Sequence, residues 1–245
     1  MQKNRTYRNL VCKPNLVSFK VIVKETDLLV RAVKPLEDVT RNLILQYRGY
    51  IESYIALHPG FATALTPWLP PMPAPDIITD MIAAGKTAGV GPMAAVAGAI
   101  AEHVGKALLL YSDEVIVENG GDIFLKTNGV ATVGIFAGKS PLSMKIGLQI
   151  DFGGDPFSVC TSSGTIGHSL SFGKADAVTV LSKSSSIADA AATAIGNRVK
   201  LPRDIQEAVE FGKTIEGVLG VVVILDDHIG MWGDINIVPL TTKND

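Results

Sequence analysis

The stretch that decides the fold covers residues 158–197 and reads SVCTSSGTIGHSLSFGKADAVTVLSKSSSIADAAATAIGN. It combines a polar, glycine-containing loop at 161–171, a buried strand at 177–181 and an alanine-rich helix at 187–195. The serines at 184–186 are good N-cap residues and mark the start of the helix. Alanine side chains are small enough for another backbone to approach closely. We therefore expect a strand followed by a tightly packed helix.

One pair of polar residues on this helix has two interpretations. Asp189 and Thr193 stand four residues apart and share one helical face. In the positively polarised first turns, a carboxylate and a hydroxyl could hold a hard cation such as Mg²⁺. Spacing alone favours capping instead, because Ser186-x-x-Asp189 resembles a capping box and Thr193 could bond back to the preceding turn.

The rest of the chain predicts an α+β fold. Alternating apolar residues at 17–24 and 28–33 indicate a hairpin, and the periodic segment 35–57 indicates a long helix. The further predicted elements are helices at 76–86, 93–110 and 202–215, and strands at 115–118, 123–126, 131–137, 145–151, 218–225, 229–232 and 235–238. Strands and helices alternate twice in this order, which favours mainly antiparallel sheets packed on helices in two similar subdomains.

The composition is that of an ordinary globular protein of 245 residues, 47% hydrophobic and 19% charged, with a formal net charge of −2. This balance argues against a nucleic-acid-binding protein and against an anionic membrane surface as partner. Cys12 and Cys160 are too few and too far apart for a disulfide framework or a zinc site. Since there is neither a targeting signal nor a run of about eighteen apolar residues, we expect a cytoplasmic protein without a membrane span.

Two short motifs suggest other functions. Residues 89–94 fit G-x-G-x-x-A, but a helical pattern precedes them where a dinucleotide fingerprint needs a strand. We therefore interpret them as a loop that leads into the next helix. Residues 167–171 resemble a hydrolase nucleophile elbow around Ser169 without its last glycine. An aspartate at 226 or 227 and His228 could complete a triad, so a serine hydrolase stays an alternative.

The segment Asn119-Gly120-Gly121-Asp122 is first of all a hairpin turn between two predicted strands. Its glycines leave the backbone amides bare. Such amides could also meet a phosphate or a flavin ring.

Three blocks together resemble the ApbE-like superfamily of FAD:protein FMN transferases. They are AGAIA at 97–101, ENGGD at 118–122, and TSSG at 161–164 followed by VTV at 178–180 and ADAAATA at 188–194. The blocks occur in the family's order, and the last one is the most specific. The sequence is most similar to a short branch of the superfamily, in which the resemblance covers residues 1–245 as a single domain of two intimately packed, T-fold-like subdomains.

The resemblance implies a magnesium site and a flavin nucleotide, FAD, as ligand or substrate. The Mg²⁺ ligands would be the side chains of Asp189 and Thr193 and the backbone carbonyl of Ala101. The implied transfer moves FMN to a hydroxyl of an acceptor protein, with His168 as the base; a histidine that bonds the turn at Ser171 is the alternative. The residues implied to bind the nucleotide are Asn119, Gly120, Gly121, Asp122, Thr161, Ser162, Ser163 and Gly164.

The chain departs from the family pattern at three places. Glu102-His103 replaces Lys-Gly after the G-A-I-A segment, which puts an anion where a cation would face the phosphates. Residues 169–173 replace I-D-P-x-T-G, and the flavin-contacting M-G-T segment has no counterpart. A non-catalytic protein that binds another small phosphorylated ligand is therefore an alternative. Buried apolar segments such as 218–225 could serve a homodimer.

Overall fold

The computed structural model describes residues 15–69, 73–165 and 172–240, and within them the chain forms eleven strands and six α-helices. The strands are β1 (Val17–Val23), β2 (Thr26–Ala32), β3 (Val115–Asn119), β4 (Asp122–Lys126), β5 (Ala131–Gly134), β6 (Ile146–Ile150), β7 (Phe157–Ser162), β8 (Ala177–Ser182), β9 (Val218–Leu225), β10 (His228–Gly233) and β11 (Asn236–Pro239). The helices are α1 (Glu37–Leu57), α2 (Gly60–Thr63), α3 (Asp76–Ala88), α4 (Val96–Leu108), α5 (Ser185–Gly196) and α6 (Ile205–Lys213).

Eight strands form one antiparallel sheet in the order β1-β2-β3-β4-β7-β8-β9-β10, and β5, β6 and β11 form a second, smaller sheet. Along the chain, a strand pair, helices and a second strand pair occur twice, first from β1 to β4 and then from β7 to β10. The pairing of β4 with β7, with Asp122 opposite Cys160, joins the two halves. The predicted α+β fold is confirmed, and the single domain over 1–245 stays a prediction.

Helices cover one face of the large sheet, and the small sheet covers the other. Successive strand residues point to opposite faces. Val117 and Phe124 therefore join the core under α1, α3 and α4, whereas Ile116 and Ile123 join the core under the small sheet. The strands β7 to β9 share a third core with α5 and α6. Helices α4 and α5 thus lie side by side above the middle of the sheet, where the two halves meet.

Several helix starts differ from the sequence prediction, and one of them is that of α6, which begins at Ile205 instead of residue 202, after a 3-10 turn at Pro202–Asp204. Pro92 begins a 3-10 turn, Pro92–Ala95, so α4 starts at Val96 instead of residue 93. Helix α3 precedes the glycines at 89–91, which confirms the interpretation of that motif as a helix-to-helix loop. Helix α5 starts at Ser185, two residues earlier than predicted, because the Ser184 hydroxyl caps it.

Strand β9 matches the predicted segment Val218–Leu225, but it is an interior strand. It pairs with β8 on one side and with β10 on the other. Its backbone groups are therefore used within the chain, and the segment is not an edge that a second copy could extend. The homodimer stays a prediction, and the segment 218–225 no longer supports it.

None of the helices in the described parts of the chain is long and apolar enough to cross a membrane.

Candidate functional site

The site is built where α4 crosses α5. The backbone N–H of Gly98, in the first turn of α4, donates a 2.9 Å hydrogen bond to Oδ2 of Asp189 in α5. A Cβ at Gly98 would lie 2.3 Å from the carbonyl oxygen of Ser185 and 2.8 Å from Cβ of Asp189. Only glycine allows this approach, and the approach brings the Asp189 carboxylate to the start of α4.

The capping-box interpretation of Asp189 is wrong. The N-cap of α5 is Ser184, whose hydroxyl accepts a hydrogen bond from the N–H of Ile187. The Asp189 carboxylate turns instead to Gly98 of the neighbouring helix. A capping box joins residues within one helix terminus, and this carboxylate joins two helices.

The glycine turn between β3 and β4 lies beside the same end of α4. The Asn119 side-chain amide donates to the carbonyl oxygen of Ala97 at 3.0 Å, and the N–H of Gly121 donates to Oε1 of Glu118 at 2.9 Å. Gly120 and Gly121 have φ angles of 69° and 119°, which side chains rarely tolerate. The turn therefore needs its glycines, and Asn119 fastens it to α4.

The end of β7 completes this neighbourhood. The N–H of Thr161 donates to the carbonyl oxygen of Gly121 at 3.2 Å, and the Thr161 and Thr179 hydroxyls lie 3.0 Å apart. Ser162 follows at the end of the strand, where it is half-buried. Further along, Ser163 bonds locally to Thr165, and the N–H of Gly164 donates to the carbonyl oxygen of Ala175. The structure thus brings Thr161 to the glycine turn, while Ser163 and Gly164 belong to the adjoining loop.

Two carboxylates and a thiol are buried together at this point. Burial raises the pKa of Asp189 to about 7, although the amides of Gly98 and Ala97 favour its ionised form. Burial, and next to it the charge of Asp189, raise the pKa of Asp122 well above its usual range. Burial and the same two carboxylates raise the pKa of the Cys160 thiol. Both carboxyl groups and the thiol are thereby shifted toward their protonated, neutral forms.

Asp189 and Thr193 carry the carboxylate and hydroxyl oxygens that a hard divalent cation such as Mg²⁺ prefers. Within the described residues, no lysine or arginine forms an ion pair with Asp122 or Asp189. Thr193 follows Asp189 by one helical turn and is half-buried. However, the described residues contain no group of three or more His, Cys, Asp or Glu side chains that could hold a metal by themselves. A cation here would complete its shell with water and ligand oxygens, as Mg²⁺ commonly does.

Two further predicted roles, those of Ala101 and His168, stay predictions. Ala101 is completely buried in the middle of α4, one turn after the residues that contact the Asp189 carboxylate. Its role as a carbonyl ligand stays a prediction. His168 lies at 166–171, outside the described residues, so its role as a base also stays a prediction.

The serine-hydrolase alternative is described only in part. Ser169 also lies outside the described residues. Nδ1 of His228 lies 2.8 Å from Oδ1 of Asp227, and both side chains are exposed at the turn between β9 and β10. A surface pair of this kind is common without catalysis, and the alternative stays a prediction.

Glu102 contacts the start of α5, which is a role that the sequence did not predict. The residue is 3% exposed, and its carboxylate accepts hydrogen bonds at the N-terminus of α5. His103 contacts Asp80 of α3 at 2.8 Å. Sequence analysis missed this role for Glu102, although its spacing of four from Gly98 places both residues on one face of α4.

Comparison with known proteins assigns the family. The model of a family described as "AbpE bacteria" matches residues 8–231. The chain belongs to this family. It is similar to UPF0280 proteins from Methanococcus aeolicus (46% identity, 85% of each chain), Methanosarcina acetivorans (39%, 87% of this chain and 85% of the relative) and Methanocaldococcus jannaschii (42%, 88% and 90%). The resemblance to the ApbE-like superfamily, closest to a short branch, is confirmed.

Two solved structures share the fold. The apo flavinyl transferase ApbE of Pseudomonas stutzeri has a TM-score of 0.54 and 15% identity, over 89% of this chain and 93% of its own. The ApbE protein of Thermotoga maritima has a TM-score of 0.52 and 13% identity, over 88% and 96%. The structural likeness extends over nearly the whole chain, as the match to the family model does.

Proposed function

We propose that this family member binds FAD or a similar nucleotide with Mg²⁺ and acts on the pyrophosphate of that ligand. The observation that carries the proposal is the pair of buried carboxylates, Asp189 and Asp122, without a described cationic partner beside the glycine turn. A buried carboxyl group is either protonated or paired with a cation, and a bound Mg²⁺ would take the place of the proton that the raised pKa values favour. The name of the Pseudomonas stutzeri structure, a flavinyl transferase, supports flavin as the first ligand to test.

Asp189 and Thr193 would hold the Mg²⁺, with the Ala101 carbonyl as the further ligand that the resemblance implies. A bound Mg²⁺ neutralises the negative charge that grows on a pyrophosphate as its bond to AMP breaks. The Gly98 amide orients the Asp189 carboxylate for this task, because its hydrogen bond fixes one of the two oxygens.

The glycine turn would receive the ligand. Around the position that a Cβ of Gly120 would take, no atom lies within 4 Å, so a ligand can approach the backbone there. Asn119 keeps the turn against α4, and Thr161 keeps it against β7. Asp122, Ser162, Ser163 and Gly164 would line the same ligand. His168 would take the proton from the hydroxyl of an acceptor protein, on which FMN remains.

The test is nucleotide binding with and without Mg²⁺. Wild type should be stabilised by FAD only when Mg²⁺ is present, by about 2.7 kcal/mol at about a hundred times Kd. Asp189→Asn should lose this stabilisation, whereas Asp155→Asn, at an exposed position, should keep it. Release of AMP, followed by chromatography with candidate acceptor proteins, would show transfer or cleavage.

Binding without AMP release would support the alternative, a non-catalytic protein for a small phosphorylated ligand. If Asp189→Asn binds nucleotide and Mg²⁺ as wild type does, the proposed site is wrong.

A further inference from the structure

We propose that Glu102 is a positioning residue that holds the first turn of α5 and thereby aims the Asp189 carboxylate. The inference deepens the proposed function and rests on it, because Asp189 is the ligand being positioned. The residue is one of those at which this chain departs from the family pattern, in which a lysine follows the G-A-I-A segment.

The contacts of Glu102 gather at the start of α5. Its Oε2 accepts hydrogen bonds from the N–H of Ser185 at 2.7 Å, the N–H of Ser186 at 3.2 Å and the hydroxyl of Ser184 at 3.1 Å. Its Oε1 lies 2.6 Å from Nζ of Lys106. A carboxylate at a helix N-terminus satisfies amides that have no partner within the helix and complements the positive end of the helix dipole. Glu102 therefore caps α5 from another helix.

Glu102 and Asp189 form two reciprocal connections between α4 and α5. The carboxylate of α5 accepts from the Gly98 amide of α4, and the carboxylate of α4 accepts from the amides of α5. Gly98 and Glu102 are one turn apart on α4, and Ser185 and Asp189 are one turn apart on α5. Because Glu102 holds Ser185, the next turn of α5 is fixed against α4, and in this arrangement the Asp189 carboxylate points to Gly98.

The same contacts close the N-terminus of α5 to an external anion. The amides of Ser185 and Ser186 already donate to Glu102, and both residues are buried. A ligand phosphate would therefore have to be held by the cation and by the glycine turn. Glu102 accordingly acts through Asp189 and does not itself contact the ligand.

The experiment compares Mg²⁺ binding by variants of the full chain, with MgCl₂ as the only added ligand in isothermal titration calorimetry. Glu102→Ala should weaken Mg²⁺ binding by about tenfold or more, as loss of the support of a metal ligand commonly does. Glu102→Gln keeps an oxygen that can accept from the two amides and should stay within about threefold of wild type. Glu210→Ala, which removes an exposed glutamate of α6, is the control and should bind as wild type does.

Circular dichroism on each sample keeps binding apart from folding. If Glu102→Ala does not fold, Glu102→Asp takes its place, because its shorter side chain withdraws the carboxylate from Ser185 and should also weaken binding about tenfold. Asp189→Asn in the same series separates the two hypotheses. If Asp189→Asn binds Mg²⁺ as wild type does, the proposed function is wrong; if only Asp189 matters and the folded Glu102 variant binds normally, the role of Glu102 is wrong.

Discussion

Replacing Gly98 by alanine tests the helix crossing on which the site depends. The new Cβ would stand 2.3 Å from the Ser185 carbonyl oxygen, whereas ordinary contacts begin at 3.4 Å. The two helices must therefore separate by about 1 Å at this point, since neither backbone can yield locally. The separation also stretches the hydrogen bond from the Gly98 amide to Asp189.

The expected cost follows from three contributions. Overpacking of this size destabilises by about 1–3 kcal/mol. Above about pH 7, where Asp189 is ionised, loss of the hydrogen bond to its carboxylate costs about 1.5–3 kcal/mol. Alanine regains about 0.5–1 kcal/mol through its better helix propensity. The free energy of unfolding should therefore fall by about 1.5–5.5 kcal/mol, a large share of the about 5–15 kcal/mol typical of a protein domain.

Urea denaturation measures this change, and Gly49→Ala is the matched control. Gly49 lies within α1, and a Cβ there would meet no atom within 4 Å. The same substitution should therefore raise the free energy of unfolding there by about 0.5–1 kcal/mol. If Gly98→Ala also stabilises the protein, or leaves it unchanged, the close crossing of α4 and α5 is refuted.

Three further predictions follow from the site. Burial raises the pKa of Asp189 from 3.8 to about 7, so between these pH values the folded state keeps a proton that the unfolded state has lost. Without Mg²⁺, the free energy of unfolding should therefore fall by up to about 4 kcal/mol as the pH rises from about 4 to 7. Urea titrations at several pH values should show this loss of stability, and added Mg²⁺ should restore the stability chiefly above about pH 7, where Asp189 is ionised. A free energy of unfolding that does not change with pH would contradict the prediction. Asn119→Ala should lower the free energy of unfolding by about 0.5–1.5 kcal/mol, since the hydrogen bond from the Asn119 amide to the half-buried carbonyl of Ala97 is lost; an unchanged urea midpoint would contradict this. Cys160, buried and with a raised pKa, should resist iodoacetamide at pH 8 in the native protein and react in urea, as peptide mass spectrometry can determine; rapid native labelling would show that it is accessible.

The sequence predicted most elements because their patterns are local. The apolar run of β9 has the predicted bounds, and α1 (Glu37–Leu57) fills most of the predicted segment 35–57. The starts of α4 and α5 were less accurate. Pro92 opened a 3-10 turn, and Ser184, the first of three adjacent serines, became the cap. Neighbouring residues with similar capping ability do not specify which of them is used.

The sequence predicted which residues form the candidate site, but it predicted only some of the contacts between them. The resemblance selected Asp189 and the glycine turn, and the structure places Asp122 of that turn close enough to Asp189 for their charges to interact. The local spacing of Asp189 favoured a capping box, which is wrong, because its partner lies 91 residues away in α4. The contact of Glu102 with the start of α5 was not predicted at all.

The order of amino acids alone therefore determined which segments become strands and helices and which chemical groups the chain carries, because those properties depend on residues within a few positions of each other. Only the tertiary structure decided that β9 is an interior strand, that Gly98 meets Asp189 and that Glu102 reaches the start of α5. These are contacts between distant segments, and they depend on how the helices pack on the sheet, which no local pattern records.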